Sequence, residues 1–239
     1  MGNALEGNAL EIANLQFAWR PGAANVLNID KFTVRCGERV FIEGASGSGK
    51  STLLSAVGGV VKTQAGAVLL LGTDLGGLSA RQRDSFRADH VGIVFQMFNL
   101  VPYLSVLDNV TLPCRFSERR LANARRNGAL RDEALRLLSA LELDEAAYAD
   151  RLVTDLSIGQ QQRVAAARAL IGTPELIMAD EPTSALDEGT RERFLELLFA
   201  ECEQSRTTVL FVSHDARLAS LFDRRVNFFE LNTGVVRGA

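Results

Sequence analysis

The chain has 239 residues, 47% of them hydrophobic, and its 26 Lys and Arg side chains stand against 29 Asp and Glu. The formal net charge of −3 excludes the strong overall attraction to nucleic acid or anionic lipid that a basic protein shows, and the hydrophobic content suffices for a large α/β core. No apolar run is long enough to cross a bilayer, and the first basic residue is Arg20, so we expect a cytoplasmic protein without a secretion signal.

The N-terminal part of the chain predicts short strands. From Ile12 to Ile42, β-rich runs alternate with Pro21-Gly22 and Cys36-Gly37 turns, which favours a small antiparallel sheet leading into a glycine-rich loop. The run Arg39–Ile42 is typical of a strand, and a helix is predicted to begin at Lys50 and to continue to Val57.

The loop between this strand and this helix is Gly44-Ala45-Ser46-Gly47-Ser48-Gly49-Lys50-Ser51, which fits G-x-x-x-x-G-K-[ST]. Three glycines let the backbone turn a row of N–H groups toward a polyphosphate, and the helix N-terminus adds its positive end. We therefore expect ATP or GTP binding. The residues predicted to bind the nucleotide here are Gly44, Ala45, Ser46, Gly47, Ser48, Gly49, Lys50, Ser51 and Thr52.

The middle of the chain has helical character. A stretch from about residue 78 to residue 171 is rich in Arg, Leu and Ala, with clear helical periodicity over Asn127–Leu143, and predicts an inserted helical subdomain. Its arginines are interleaved with acidic residues and have no aromatic platform beside them, which favours a solvated helix face over a nucleic-acid site. They are Arg115, Arg119, Arg120, Arg125, Arg126 and Arg131.

Two continuous apolar runs, Leu176–Ala179 and Val209–Val212, predict strands buried on both faces of a parallel sheet. Each ends in polar residues, where ligands of such sheets bind. Asp180 is suited to order the water shell of a magnesium ion, and Glu181 to polarise an attacking water as general base.

The segment Leu156-Ser157-Ile158-Gly159-Gln160-Gln161-Gln162-Arg163 supplies a second site for an anion. Ser157 is a good N-cap, the run Gln160–Leu170 is helix-prone, and Gly172 with Pro174 is predicted to end the helix. This segment resembles the signature LSGGQ of the ATP-binding cassette family, with Ile158 in place of the first signature glycine.

The resemblance implies an ATP hydrolase that works as a head-to-tail dimer with ATP and Mg²⁺ between two copies. One chain has no use for two γ-phosphate cradles, so the second cradle would serve the nucleotide of the other copy. Ser157, Gly159 and Gln160 would act in this way, and Asp187, in the D-loop-like Ser184-Ala185-Leu186-Asp187, would cross the same interface.

Other family positions have counterparts in this chain. Gln96 resembles the Q-loop glutamine, which would ligate magnesium together with Ser51 and sense the membrane partner. His214 resembles the switch histidine that binds the γ-phosphate, and Lys50 would also hold the phosphates. Trp19 matches the aromatic residue that stacks on adenine, with Phe17 as the competing candidate.

Three residue types are expected to have other roles. His90 matches no motif and is interpreted as structural. Glu43 directly precedes the phosphate loop, where an inward carboxylate would repel the anion, so we expect it to face away. The three cysteines contain no C-x-x-C pair and are interpreted as reduced thiols without a metal or disulfide role.

Within the family, the segment Phe98–Pro113 and the run Ser157–Leu170 are similar to the lipoprotein-release and macrolide-efflux group of bacterial ATPases. This implies a single P-loop NTPase domain over residues 1–239, of the α/β class, with a RecA-like core, a small antiparallel β subdomain and the helical signature subdomain inserted at about 78–171. The partners implied are a second copy and a transmembrane permease at the cytoplasmic face of the inner membrane, for export, lipoprotein release or mechanotransmission, and no nucleic acid.

A groove after Gln96 would receive a cytoplasmic helix of that permease. Apolar residues that either line this groove or belong to the subdomain's own core are Phe98, Leu100, Tyr103 and Leu104.

Two alternative functions remain at this point. The first is an ATPase of the same subgroup that regulates cell division through a permease-like partner, which the sequence barely separates from transport. The second is a cassette that acts on DNA or ribosomes. Such proteins carry a coiled-coil or zinc-bearing insertion or a second cassette. The interval from Lys50 to Ser157 lacks sustained heptads and paired cysteines, and the sequence contains one cassette.

Overall fold

The structure is a computed structural model that describes residues 7–143, 145–184 and 186–234. The chain forms two compact units. The first contains the residues up to Arg87 together with those from Thr208 onward, and the second is Ala88–Thr207.

The strands of the described residues are, in chain order, β1 (Asn8–Phe17), β2 (Leu27–Arg35), β3 (Arg39–Glu43), β4 (Ala65–Leu70), β5 (Thr73–Asp74), β6 (Val91–Val94), β7 (Leu176–Asp180), β8 (Thr208–Ser213) and β9 (Arg224–Asn227). The helices are α1 (Lys50–Val57), α2 (Ala80–His90), α3 (Val106–Thr111), α4 (Glu118–Ala124), α5 (Leu130–Ala140), α6 (Glu145–Tyr148), α7 (Ile158–Leu170), α8 (Glu188–Ser205) and α9 (Phe228–Leu231). In the part of the chain that the structure describes, no helix combines the length and the apolar composition that crossing a membrane requires.

The first unit contains an antiparallel sheet with the strand order β2-β1-β4-β5. The sequence predicted its first two strands correctly but missed β4 and β5, which follow the glycine-rich loop. The start of β4 is Ala-Gly-Ala, which carries little strand signal. Gly66 is required there: its φ is +80°, and a Cβ would lie 2.2 Å from the carbonyl oxygen of Asn14. A register irregularity between Ala13 and Gln16 accompanies this close approach.

The predicted strand over residues 39–42 is also confirmed, but it does not belong to the antiparallel sheet. In the first unit β3 pairs in parallel with β8 and with β9. The apolar run of β8 and the centre of β3 are fully buried, as the continuous hydrophobic pattern predicted. The rings of Phe41, Phe211 and Phe222 lie with centroids 5.1–5.9 Å apart and form the aromatic core beside these strands.

The second unit contains the parallel pair β6–β7 together with most of the helices. Helix α5 begins at Leu130, three residues later than the periodicity over Asn127–Leu143 predicted, because Gly128 lies at φ +152° and Asp132 accepts a hydrogen bond from the backbone N–H of Ala129. The range 78–171, predicted as a helical insertion, contains the strand β6 and remains a prediction as a domain boundary.

The arginine cluster divides into surface ion pairs and one buried side chain. Arg115, Arg119 and Arg131 pair with Asp108, Glu175 and Asp150, which agrees with a solvated face. For Arg120 that prediction was wrong.

Arg120 is only 2% exposed, and it donates to the carbonyl oxygens of Ile171 and Ala169, each at 2.7 Å. Burial lowers the pKa of its guanidinium to about 10. Because the last carbonyls of a helix have no intrahelical partner, Arg120 supplies the donors that the end of α7 needs.

His90 has the structural role expected of it. Its Nδ1 lies 3.0 Å from Oε2 of Glu175, which also pairs with Arg119. Burial would raise the pKa of Glu175, but the hydrogen bond and charge of His90, together with the charge of Arg119, outweigh burial and lower it.

The three cysteines Cys36, Cys114 and Cys202 are free thiols. Burial raises the pKa of the Cys36 and Cys114 thiols, which disfavours the reactive thiolate.

We predict that Arg120→Met lowers the free energy of unfolding by about 3 kcal/mol, since it leaves buried carbonyls without donors at ~1–3 kcal/mol each. Urea unfolding followed by circular dichroism measures this change. Arg125→Met is the matched control, because Arg125 is exposed at the end of the same helix and its loss should cost less than about 0.5 kcal/mol. Equal effects of the two substitutions would contradict the role of Arg120.

Candidate functional site

The glycine-rich loop joins β3 to α1 in the first unit, as predicted. Gly47 and Gly49 have φ values of +75° and +109°, which L-residues rarely adopt. A Cβ on Gly44 would lie 3.0 Å from the Cβ of Phe228 and 3.1 Å from Oγ of Ser48. Backbone geometry thus favours glycine at positions 47 and 49, and at position 44 a Cβ would crowd Phe228 and Ser48.

Two donors of this loop are directed into it. Lys50 is 4% exposed, and its Nζ donates to the carbonyl oxygens of Gly44 at 2.6 Å and Ala45 at 2.8 Å. The hydroxyl of Ser48 is buried and has no hydrogen-bond partner among the described residues. A buried hydroxyl without a partner is costly, and a phosphate oxygen is an acceptor that fits both donors.

The other predicted nucleotide-binding residues of the loop differ in exposure. Ala45, Ser46, Gly47 and Ser51 are exposed, whereas Thr52 is buried in the first turn of α1. Ser51 is therefore accessible to solvent at the start of α1.

His214 leaves the sheet beside the phosphate loop. Glu43, the last residue of β3, pairs in register with Ser213, the last residue of β8. The backbone N–H of Gly44 donates to the carbonyl oxygen of Ser213 at 3.4 Å, and His214 is exposed directly after it. The structure therefore brings the predicted phosphate loop and the predicted switch histidine to one edge of the same parallel strands.

Phe228 is a site residue that the sequence reasoning missed. It is fully buried, and its ring lies 3.6 Å from the Cβ position of Gly49 in addition to its contact with Gly44. It follows β9, whose last residue, Asn227, pairs in register with Glu43. A phenylalanine near the C-terminus carries no local signal for this role, which depends on the pairing of β9 with β3.

Glu43 was expected to face away from the loop. Its carboxylate accepts a hydrogen bond from Nε of Arg225 on β9 at 2.6 Å. The positive charge of Arg225 thus balances the negative charge of Glu43 next to the phosphate loop.

The two aromatic candidates for stacking differ in exposure. Phe17 is 5% exposed and belongs to the core, whereas Trp19 is 55% exposed. Their rings meet edge to face with centroids 5.0 Å apart. The geometry therefore favours Trp19 as the ring that a base could stack on.

In the second unit, two predicted site segments leave neighbouring strands at the same edge. Val94, the last residue of β6, pairs in register with Ala179 of β7. Gln96 follows β6 and is exposed, and Asp180 ends β7. Glu181, the next residue, has a left-handed φ of 44°, a strained conformation that is typical of functional positions.

The signature-like segment forms the N-terminus of α7, as predicted. Ser157 is the N-cap: its Oγ accepts from the backbone N–H of Gln160 at 3.4 Å, and Oε1 of Gln160 accepts from the backbone N–H of Ser157 at 2.9 Å. Ile158 is the first helical residue and 55% exposed. It is not among the described residues with positive φ, so this position does not require a glycine.

Asp187 has a local role that the sequence prediction did not include. It caps α8: Oδ1 accepts from the backbone N–H of Thr190 at 3.0 Å and Oδ2 from its hydroxyl at 2.8 Å. The backbone hydrogen bond from Thr190, more than its hydroxyl, lowers the pKa of Asp187. Ala185, in the same predicted loop, lies outside the described residues.

The predicted site residues divide between the two units. The phosphate loop, Trp19 and His214 lie in the first unit. The second contains Gln96, Asp180, Glu181, Ser157, Gly159, Gln160 and Asp187. Among the described residues, no group of three His, Cys, Asp or Glu side chains could hold a metal ion.

Comparison with known proteins identifies the family. The protein-family model described as ABC transporter matches residues 27–184 of this chain. The chain belongs to this family. It is an α/β P-loop NTPase cassette and an ATP hydrolase of the ABC type.

Its relatives include ATP-binding proteins of bacterial systems. The uncharacterized ABC transporter ATP-binding protein YbbA of Escherichia coli is 39% identical over 219 residues, which cover 91% of this chain and 92% of that protein. The lipoprotein-releasing system ATP-binding protein LolD of Novosphingobium aromaticivorans is 40% identical over 208 residues, covering 86% of this chain and 88% of that protein.

A solved structure supports the fold. The ATP-binding cassette MJ0796 of Methanocaldococcus jannaschii, in a dimeric post-hydrolysis state bound to ADP and Pi, matches with a TM-score of 0.80 and 35% identity. The match covers 96% of this chain and 97% of that one.

We predict that Phe228→Ala lowers the free energy of unfolding by about 3–5 kcal/mol and weakens ATP binding, because the phosphate loop loses the side chain on which it packs. Chemical denaturation and equilibrium titration with a fluorescent ATP analogue measure the two effects.

Phe194→Ala is the matched control. Phe194 is 1% exposed on α8 in the second unit, so its loss should lower stability by a similar amount while ATP affinity is retained. A parallel loss of affinity in both variants would show that the effect of Phe228 is general destabilisation.

Proposed function

We propose that this chain is the ATP-binding subunit of a bacterial ABC transporter, which hydrolyses ATP in a head-to-tail dimer and drives a conformational change in a membrane permease. The observation that carries the proposal is that one chain has two helix starts whose donors suit an anion. The first is the loop before α1, with the buried donors Lys50 and Ser48. The second is the exposed, Ser157-capped N-terminus of α7 in the other unit.

In this proposal each copy holds ATP on its own phosphate loop and presents Ser157 and Gly159 to the nucleotide of the other copy. Gln160 keeps Ser157 in place through the capping box. Asp187 crosses the same interface, where its carboxylate already fixes the first turn of α8. The dimeric form of the MJ0796 cassette supports this arrangement.

The hydrolytic roles follow the chemistry of the side chains. Glu181 is the general base, His214 contacts the γ-phosphate, and Lys50 neutralises phosphate charge. Ser51 and Gln96 would hold magnesium, with Asp180 acting through water, and the metal would supply positive charge that stabilises the phosphates during hydrolysis.

The permease would dock against the segment around Gln96, where exposed apolar side chains are found. Met97 is 81% and Tyr103 78% exposed, and Phe95 is partly exposed. Phe98 is buried and belongs to the core of its own unit. Exposed apolar groups of this size mark interaction surfaces, and the names of the relatives support a transport role. The location that we propose is the cytoplasmic face of the inner membrane. The work performed would be export, lipoprotein release or mechanotransmission.

We predict that Glu181→Gln retains ATP binding while turnover falls by about 10²–10⁴, the loss expected for a general base. With Mg²⁺ and ATP the variant should accumulate as a dimer, because association no longer ends in hydrolysis. Phosphate release and light scattering with ATP or ADP measure the two effects. Near-normal turnover would remove Glu181 from this role, and a variant that stays monomeric at saturating ATP would contradict the shared site.

We also predict that Trp19→Ala weakens ATP binding about 3–10-fold, because a stacked aromatic pair contributes ~0.5–1.5 kcal/mol. Equilibrium titration of ATP against the protein measures this change. Phe116→Ala is the control, since Phe116 is a 73% exposed aromatic residue of the other unit and should not alter affinity. An unchanged affinity in Trp19→Ala would remove Trp19 from the adenine site.

A further inference from the structure

The segment that follows Gln96 has an unusual backbone. We name residues 95–104 the Gln96 loop. Phe98 and Asn99 are consecutive residues in the left-handed region, with φ values of 58° and 48°. Such conformations are costly for residues with a side chain, so the surrounding structure must hold them in place.

Arg168, in the last turn of α7, fixes this backbone. Its Nη1 donates to the carbonyl oxygen of Asn99 at 2.7 Å and its Nη2 to that of Phe98 at 2.5 Å. Burial lowers the pKa of Arg168. Among the described residues, its guanidinium donates to the carbonyl oxygens of the two residues with left-handed φ. Hydrogen bonds from a charged donor are stronger than those from a neutral one.

Asn109 on α3 holds the other end of the same loop. It is fully buried; its Oδ1 accepts from the backbone N–H of Val101 at 2.8 Å, and its Nδ2 donates to the carbonyl oxygens of Val101 and Ser105 at 3.1 and 3.0 Å. The Gln96 loop is thus anchored to two helices of its own unit, with α7 as the anchor nearest to Gln96.

We propose that Arg168 is a positioning residue that couples the Gln96 loop to the signature end of α7. This inference rests on the proposed function, in which the loop senses the permease and Ser157 acts on the nucleotide of the other copy. A helix of 13 residues is about 20 Å long and moves as a rigid body. A displacement of the loop therefore pulls on one end of α7 and shifts Ser157 and Gly159 at the other end.

The planar fork of arginine matters for this role. One guanidinium presents two parallel N–H groups to two adjacent carbonyls, whereas a lysine ammonium is a point charge without fixed directions. Methionine removes both hydrogen bonds and keeps much of the side-chain volume. We therefore expect the coupling to weaken in the order Arg, Lys, Met at position 168.

The test compares hydrogen–deuterium exchange in three full-length proteins, each with and without Mg²⁺ and ATP. They are the Glu181→Gln parent and the same protein carrying in addition Arg168→Met or Arg168→Lys. In the parent, ATP should slow exchange at residues 44–52, at 157–163 and in the Gln96 loop. In Arg168→Met, the phosphate loop should keep its protection while the Gln96 loop exchanges about tenfold faster with ATP bound, as expected for lost charged hydrogen bonds. Arg168→Lys should lie between the two.

A second readout separates positioning from folding. With Glu181 intact, Arg168→Met should lower kcat about tenfold and leave KM for ATP within about twofold, since ATP binding to one copy does not need the coupling. Leu138→Ala is the control for general destabilisation, because Leu138 is a fully buried residue of α5. In Leu138→Ala, ATP should still slow exchange in the Gln96 loop and at residues 157–163 as it does in the parent.

The outcomes are distinguishable. If ATP protects residues 157–163 and the Gln96 loop equally in the parent and in Arg168→Met, the role of Arg168 is overturned while the proposed function stands. The same holds if Leu138→Ala produces the same uncoupling. If ATP changes exchange at residues 44–52 but not at 157–163 even in the parent, the shared nucleotide site itself fails.

Discussion

Parallel pairing of strands is the constraint on which the site depends. In each unit, two neighbouring strands run in the same direction and end at the same edge, so the residues that follow them lie side by side. In the first unit this places Gly44 beside His214, because Glu43 and Ser213 are in register. In the second unit the register of β6 and β7 brings the segment that contains Gln96 to the edge where Asp180 ends its strand. The hydrogen-bonded pairing of the strands brings these segments together, so no special loop sequence is needed.

The sequence was informative where the signal is local. The phosphate loop, the buried strands β7 and β8 and the N-cap Ser157 all follow from residues close together in the chain, and the structure has them where the sequence predicted. The resemblance to the ABC family covered the same segments, and the family comparison confirmed it. The sequence analysis matched Trp19 to the stacking aromatic residue with Phe17 as the competing candidate, and the burial of Phe17 gives a physical reason to prefer Trp19.

The sequence was silent where a role depends on a distant partner. Phe228 reaches the phosphate loop through the pairing of β9 with β3, and Arg120 is buried where it donates to carbonyl oxygens at the end of α7. In the sequence, Arg120 is one of several arginines in a basic cluster. The sequence pattern does not distinguish a solvated arginine from a buried one. Likewise β4 was missed because Gly66 suits a close approach to Asn14 and is a poor strand former in general.

Two arginines form hydrogen bonds at the C-terminal end of α7. Arg120 reaches α7 from outside and donates to its last carbonyls, whereas Arg168 leaves the helix and donates to the Gln96 loop. Positive charge near a helix C-terminus also interacts favourably with the helix dipole. The end of α7 is consequently held by charged hydrogen bonds on both sides. Its start at Ser157 is exposed and is held by the capping box with Gln160 and by a hydrogen bond from Gln161 to the carbonyl oxygen of Leu156. A helix fixed at one end and exposed at the other can orient its N-terminus toward a partner without refolding.

The departure at Ile158 is explained by this same exposed start. A glycine is required where φ is positive or where a Cβ would collide, and Ile158 is helical with a side chain 55% in solvent. At the first helical position the backbone N–H has no intrahelical acceptor, so it is available to an anion whatever the side chain is. The same holds for Gly159: a Cβ there would lie 3.7 Å from the side chain of Leu186, in ordinary contact, so space within the chain does not demand a glycine at this position either. Any need for glycine at position 159 must therefore come from the bound nucleotide or from the second copy, which is where the proposed function places it.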